Sequence, residues 1–115
     1  MIQEQQRPLY EIKANLFKGL AHPYRIRILE LLSVDPASEV AVGSLIEETG
    51  LEASHLSQHL SVLRKHRLVT SQRRASVVYY RLAFPEVADL LGVARTLLAG
   101  ILDQTRQQLD AQVEA

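Results

Sequence analysis

The sequence predicts a mainly α domain closed by a small β ribbon, in the order α-α-α-α-β-β-α. Three observations carry this. Apolar residues recur at helical spacing through residues 9–32 and again from Val87 onward. Between those segments a turn, Gly50-Leu51-Glu52, leads into a helix over Ala53 to His66, with Leu56, Leu60 and Leu63 at i, i+4 and i+7. The run LVTSQRRASVVYYRL that follows is rich in Val and Tyr and reads as a hairpin.

The first helix takes Leu9, Ile12, Leu16, Leu20 and neighbouring Phe17 onto one face, with Pro8 suited to its first turn. His22-Pro23 breaks it, because a residue before proline disfavours helical dihedrals. His22 is then the N-cap and Pro23 the N1 residue of a second helix, with Ile26, Leu29 and Leu32 as its inner stripe and Ile28 and Leu31 widening it. Ser33 to Val40, with Asp35-Pro36, is a loop. Val40-Ala41-Val42 is β-prone and fits one short strand. Ser44 and Glu47 have the spacing of a capping box for a short third helix, and Gly50 suits its left-handed C-terminal cap. The third and fourth helices place a helix-turn-helix near residues 44–66. The wing falls near 68–82, with strands over Leu68–Arg73 and Ser76–Leu82; the link Arg74-Ala75 has no Gly or Asn, so its turn type is open. Helices near 9–21 and 86–112 flank this winged helix-turn-helix in a single domain over residues 1–115. From Val87 the apolar set Leu90, Leu91, Ala94, Leu97, Leu98, Ile101, Leu102 and Leu109 is wider than one side of a small domain needs.

The 115 residues suffice for one core. There is no cysteine, which excludes disulfides, thiolate metal sites and cysteine nucleophiles. No apolar run reaches a membrane span, and the N-terminal stretch lacks a secretory layout, so a cytoplasmic protein is expected. Formal net charge is zero, but its distribution is uneven. Residues 1–52 and 86–115 each carry −3, whereas residues 53–85 carry six cations and no acid. A basic middle between acidic ends suits one face on a polyanion.

At about 100° per residue, Ser54, Ser57, Gln58, Ser61 and Lys65 fall opposite the Leu56–Leu60–Leu63 stripe, with His55 and Arg64 on the flanks. His59 borders the core. Ser and Gln approach base edges without a fixed charge, and Gln pairs bidentately with adenine. Arg64 and Lys65 come late in the helix, where phosphates are met, and Arg73 and Arg74 at the wing tip add backbone contacts. His55, His59, Ser54, Ser57, Gln58, Ser61, Arg64, Lys65, Arg73 and Arg74 are therefore the expected DNA-contacting set. His55 and His59 also have a spacing that binds metal, but no carboxylate or thiol lies near them in sequence, which favours DNA or packing roles. His22 and His66 read as capping residues. No phosphate loop, nucleophile elbow or HExxH motif is present, and catalysis is not expected.

The stretches GLAHPYRIRILELL, LIEETGLEASHLSQHLSVLRKHRLV and RRASVVYYRL resemble the ArsR-type (metal-sensor-like) winged helix-turn-helix regulators of bacteria over about residues 9–102. The resemblance implies a homodimer built from the first and last helices, with Leu9, Ile12, Leu16, Leu90, Leu91, Ala94, Leu97, Leu98, Ile101 and Leu102 at its seam. It also implies inverted-repeat operator DNA bound through the fourth helix of each subunit, with Ser57, Gln58 and His59 in the DNA-reading segment. Four departures stand out. The cysteine metal site at the start of the third helix is replaced by Val40-Ala41-Val42-Gly43, and the last helix has acids but no histidine. Arg67 and Ala75 stand where the family usually has glycine. A dimeric DNA-binding repressor is the leading reading, with no cofactor. A winged-helix adaptor for a protein partner is the alternative, since net charge is zero. The signal stays open: a regulatory partner protein, an organic ligand at the dimer seam, or a non-thiol metal such as nickel or zinc on His22 with carboxylates of the first or last helix.

Overall fold

The computed structural model describes residues 7–114, the side chain of Glu114 apart. The chain order is α1 (Leu9–Leu20), α2 (Pro23–Ser33), β1 (Val40–Ala41), α3 (Val42–Thr49), α4 (Ala53–Lys65), β2 (Val69–Arg74), β3 (Val77–Leu82) and α5 (Glu86–Glu114). It is a mostly helical fold with a β wing, as the sequence predicts, and β1 joins the wing hairpin in one antiparallel sheet of order β1-β3-β2. One core joins the helices to that sheet. Ile28, Leu29, Leu32, Leu45, Leu56 and Leu63 are fully buried in it, with Val69 and Leu82 from the sheet.

The α1–α2 junction follows the expected chemistry. The His22 backbone is extended, and its Nδ1 accepts a hydrogen bond from the Tyr24 N–H at 3.1 Å, with Pro23 next in the first turn. The inner face of α2 differs from the expectation. Ile28, Leu29 and Leu32 are the buried stripe, and Ile26 is exposed. The sequence run Ile26–Leu32 is apolar at too many phases for spacing alone to fix its rotation.

The start of α3 is a second correction. The helix begins at Val42 with Ala41 as N-cap and no side-chain cap, so Ser44 lies inside it and no capping box forms. Strand β1 sets this phase: Val40 pairs with Tyr80 and Ala41 with Tyr79, and the helix starts where that pairing ends. The helix-turn-helix therefore runs from Val42 to Lys65 rather than 44–66. Gly50 takes φ 69° as the left-handed cap of α3. Thr49 Oγ1 donates to the Leu45 carbonyl at 2.6 Å and accepts from the Leu51 N–H at 3.3 Å, which fixes the turn into α4.

The end of α4 is a Schellman turn. The Leu68 N–H bonds to the Leu63 carbonyl at 2.9 Å and the Arg67 N–H to the Arg64 carbonyl at 3.0 Å. Arg67, at the position that favours glycine, takes φ 60°. Strand β2 is one residue later than expected at both ends, β3 starts one residue later but ends at Leu82 as expected, and the two-residue link is Ala75-Ser76, with Ala75 at φ 55°. Both departures from the family pattern thus occupy left-handed backbone without glycine, at a cost of about 1 kcal/mol each.

Helix α5 packs only by its first turns. Val87 is buried, and Ala88, Leu90 and Leu91 lie half-buried against the core. Beyond them Val93, Leu97, Leu98, Ile101 and Leu102 are all at least 50% exposed. On α1, Leu9, Tyr10 and Phe17 are exposed, whereas Ile12 and Leu16 are half-buried. Of the expected seam residues, Leu16, Leu90 and Leu91 therefore already contact this chain's own core. No helix among the described residues is long and apolar enough to cross a membrane.

Candidate nucleic-acid interface

Helix α4 is held by Leu56, Leu60 and Leu63, each 2% exposed or less. Burying three leucines fixes the helix rotation, at roughly 1.5–3 kcal/mol for each side chain. Every polar position assigned from the helical phase then lies where that phase puts it. Ser54, His55, Ser57, Gln58, Ser61, Arg64 and Lys65 are exposed, and His59 is half-buried at the edge. Glu52 precedes the helix as N-cap without a side-chain hydrogen bond, and no acid follows until Glu86. The exposed N-terminal face of α4 is therefore a row of hydroxyls and one amide, with the helix's own partial positive charge at that end.

His59 is part of a ring cluster that spacing alone does not reveal. Its ring lies 4.4 Å from that of His22 and 6.1 Å from that of Tyr24, and His22 and Tyr24 stack at 6.1 Å. Burial depresses the His59 pKa below the usual histidine value, and repulsion from His22, Arg25 and His55 adds to it. Arg25 is fixed in place: its Nε donates to the Gly19 carbonyl at 2.8 Å and its Nη2 to the Lys18 carbonyl at 3.2 Å. These bonds satisfy the C-terminal carbonyls of α1 and complement its dipole. Tyr24 thus packs beside the candidate interface and is absent from the sequence assignment. Its only sequence signal is that it stands two residues after the His22 cap.

The wing's two arginines separate. Arg74 Nη1 lies 2.7 Å from Glu39 Oε2, close enough for an ion pair but without hydrogen-bond alignment, and its guanidinium sits 4.2 Å above the Tyr79 ring. Arg74 therefore ties the wing to the segment before β1. Arg73 is exposed and has no ion-pair partner among the described residues. Strand alternation puts neighbouring side chains on opposite faces, which accounts for the split. Arg64 Nη1 reaches within 3.5 Å of Ser71 Oγ, linking α4 to β2. His22 commits Nδ1 to its cap, and among the described residues no group of three or more His, Asp or Glu has an arrangement that could hold a metal ion.

The fold recurs in known proteins. A model of the family described as "Bacterial regulatory protein, arsR family" matches residues 22–71. The HTH-type transcriptional regulator Rv0081 of Mycobacterium tuberculosis is 50% identical over 96 residues, covering 83% of this chain and 82% of that protein. Its crystal structure superposes with a TM-score of 0.77 at 47% identity, over 86% of this chain and 97% of that one. The solution structure of Mb0332 from Mycobacterium bovis is described as a homodimeric winged helix-turn-helix DNA-binding domain. It matches with a TM-score of 0.75 at 28% identity, over 90% of this chain and 93% of that one. The chain belongs to the arsR family of bacterial transcriptional regulators, and its fold is the winged helix-turn-helix.

Proposed function

We propose that the protein is a homodimeric, sequence-specific repressor that reads an inverted-repeat operator with α4 of each subunit. The observation that carries this is the single outward row Ser54, Ser57, Gln58 and Ser61 over a fully buried leucine stripe, inside a segment with no acid. Ser57 and Gln58 take the base-edge roles, with Ser54, Ser61 and His55 beside them. Arg64 and Arg73 bind phosphate, and Arg74 shapes the wing through Glu39 and Tyr79 rather than touching DNA. His59 positions α4 against His22 and Tyr24.

Two copies meet through α5 and α1. The exposed apolar positions Leu97, Leu98, Ile101, Leu102 and Leu9 support this, because a water-facing stripe of that extent marks an interaction surface. The homodimeric neighbour supports it as well. A dimer covering a promoter operator blocks polymerase, which gives repression as the sign. The test is a selection from random duplex DNA with the purified protein, followed by a promoter–reporter assay. An inverted repeat bound in a salt-sensitive way, with reporter output lowered, is expected. Absence of any preferred sequence at physiological salt contradicts the reading and favours an adaptor that docks on a protein partner.

A further inference from the structure

The far end of α4 meets α1 across a cavity of about 480 Å³. Its wall includes Ile12, Lys13, Leu16, Lys65, His66 and Arg67. Three cations and two aliphatic residues border this half-open space, and no acid is among its lining residues. The two ion pairs among the described residues, Arg27–Glu30 and Arg74–Glu39, leave Lys13, Lys65 and Arg67 without a carboxylate. Gathering like charges costs free energy unless an anion offsets it. The volume falls in the range of small-molecule sites, which combine apolar walls with a few convergent polar groups.

Arg67 supplies an independent observation. It occupies the left-handed position of the Schellman turn, where glycine is the unstrained choice, and it lines the cavity. Non-glycine residues held in that region cluster at ligand clamps and switch points. The base-reading end of α4 is elsewhere. Ser54 and Lys65 are separated by eleven residue steps, about 16 Å along the helix axis. Beside the cavity, α1 and the end of α4 are locked together, since a Cβ on Gly19 would come within 2.7 Å of the His66 ring.

We propose that this cavity binds a small amphipathic organic anion, a carboxylate whose head sits among Lys13, Lys65 and Arg67 and whose apolar body lies against Ile12 and Leu16. Fatty acids and free aromatic or aliphatic acids share this chemistry. The test titrates the full-length protein with sodium octanoate and follows backbone amide shifts by NMR, with octanol and sodium sulfate as probes of tail alone and charge alone. Saturable shifts centred on Lys13, Leu16, His66 and Arg67, with a Kd at or below about 1 mM and about tenfold weaker binding of either control, are expected. Arg67→Gly removes the guanidinium while suiting the left-handed backbone, so it keeps the fold and lowers octanoate affinity about tenfold. Lys13→Gln, on an exposed helical site, acts in the same direction. Four results overturn the proposal: no saturable shift, octanol binding as well as octanoate, sulfate binding as well as octanoate, or intermolecular contacts showing the cavity filled by the partner subunit's helix. The titration contains no DNA, so its failure is distinguishable from failure of the DNA-reading role.

Discussion

His59 illustrates how a residue's surroundings change its role. Helical phase put it at the border of the core and the DNA face; the structure adds His22 and Tyr24 against it, which no spacing rule supplies. Its folded pKa is depressed, so below the usual value of about 6.5 the unfolded chain binds more protons than the folded one. The stability His59 contributes is therefore complete above that pH and is lost as pH falls through the folded pKa. Thermal unfolding between about pH 7.5 and 5 should show a decline that His59→Gln flattens; an unchanged slope in the variant assigns the decline to other groups. The positive φ of Ala75 gives a second residue-scale outcome. Ala75→Gly should stabilise the protein by about 1 kcal/mol in denaturant unfolding, and a loss of stability would show that the wing tip is unstrained. Both turn positions were legible as departures from a glycine pattern, but whether the backbone would keep its left-handed turns was not.

At the scale of elements, a stripe with a single phase is legible in the sequence and an ambiguous one is not. Leu56, Leu60 and Leu63 admit one rotation of α4, so the exposed face followed directly. In α2 the run Ile26, Ile28, Leu29, Leu31 and Leu32 admits several, and packing against the sheet and α5 chose Ile28, Leu29 and Leu32. The start of α3 is not legible locally, because a long-range pairing, Val40 and Ala41 with β3, overrides the Ser44–Glu47 signal. The split between Arg73 and Arg74 depended on Glu39, which lies 35 positions away in the chain. The contact between α1 and the end of α4 was equally invisible, and it is tight. Gly19→Ala would place a Cβ 2.7–3.0 Å from His66 side-chain atoms. This should cost about 1–3 kcal/mol, and His66→Ala in the same chain should recover most of it. Additive losses in the double variant would show that the clash is absent.

At the scale of the whole molecule, the expected fold and family hold, while the wide apolar face of α5 resolves into two parts. Its first turns pack on the core through Val87, Leu90 and Leu91, and the rest is free. A stripe that is too wide for one domain is legible in the sequence; which leucines serve the core and which stay exposed required the structure. Leu97→Glu combined with Ile101→Glu should yield a folded monomer by analytical ultracentrifugation, with far-ultraviolet circular dichroism preserved. A dimer that persists in this variant would place the seam elsewhere. Loss of the dimer should also lower operator affinity by orders of magnitude, because two half-sites are then no longer bound together.

The proposed division of roles gives base reading to the exposed face of α4 and phosphate binding to the wing. The most direct measurement compares binding of a selected operator and its single-base variants by wild type, Gln58→Ala and Arg73→Ala at fixed salt. Gln58→Ala should erase about 1–3 kcal/mol of discrimination at one base pair of each half-site and leave the others intact. Arg73→Ala should weaken every sequence alike and reduce the salt dependence by about one phosphate contact, as this division of roles requires. Uniform weakening by Gln58→Ala, or a base-selective loss from Arg73→Ala, would contradict it.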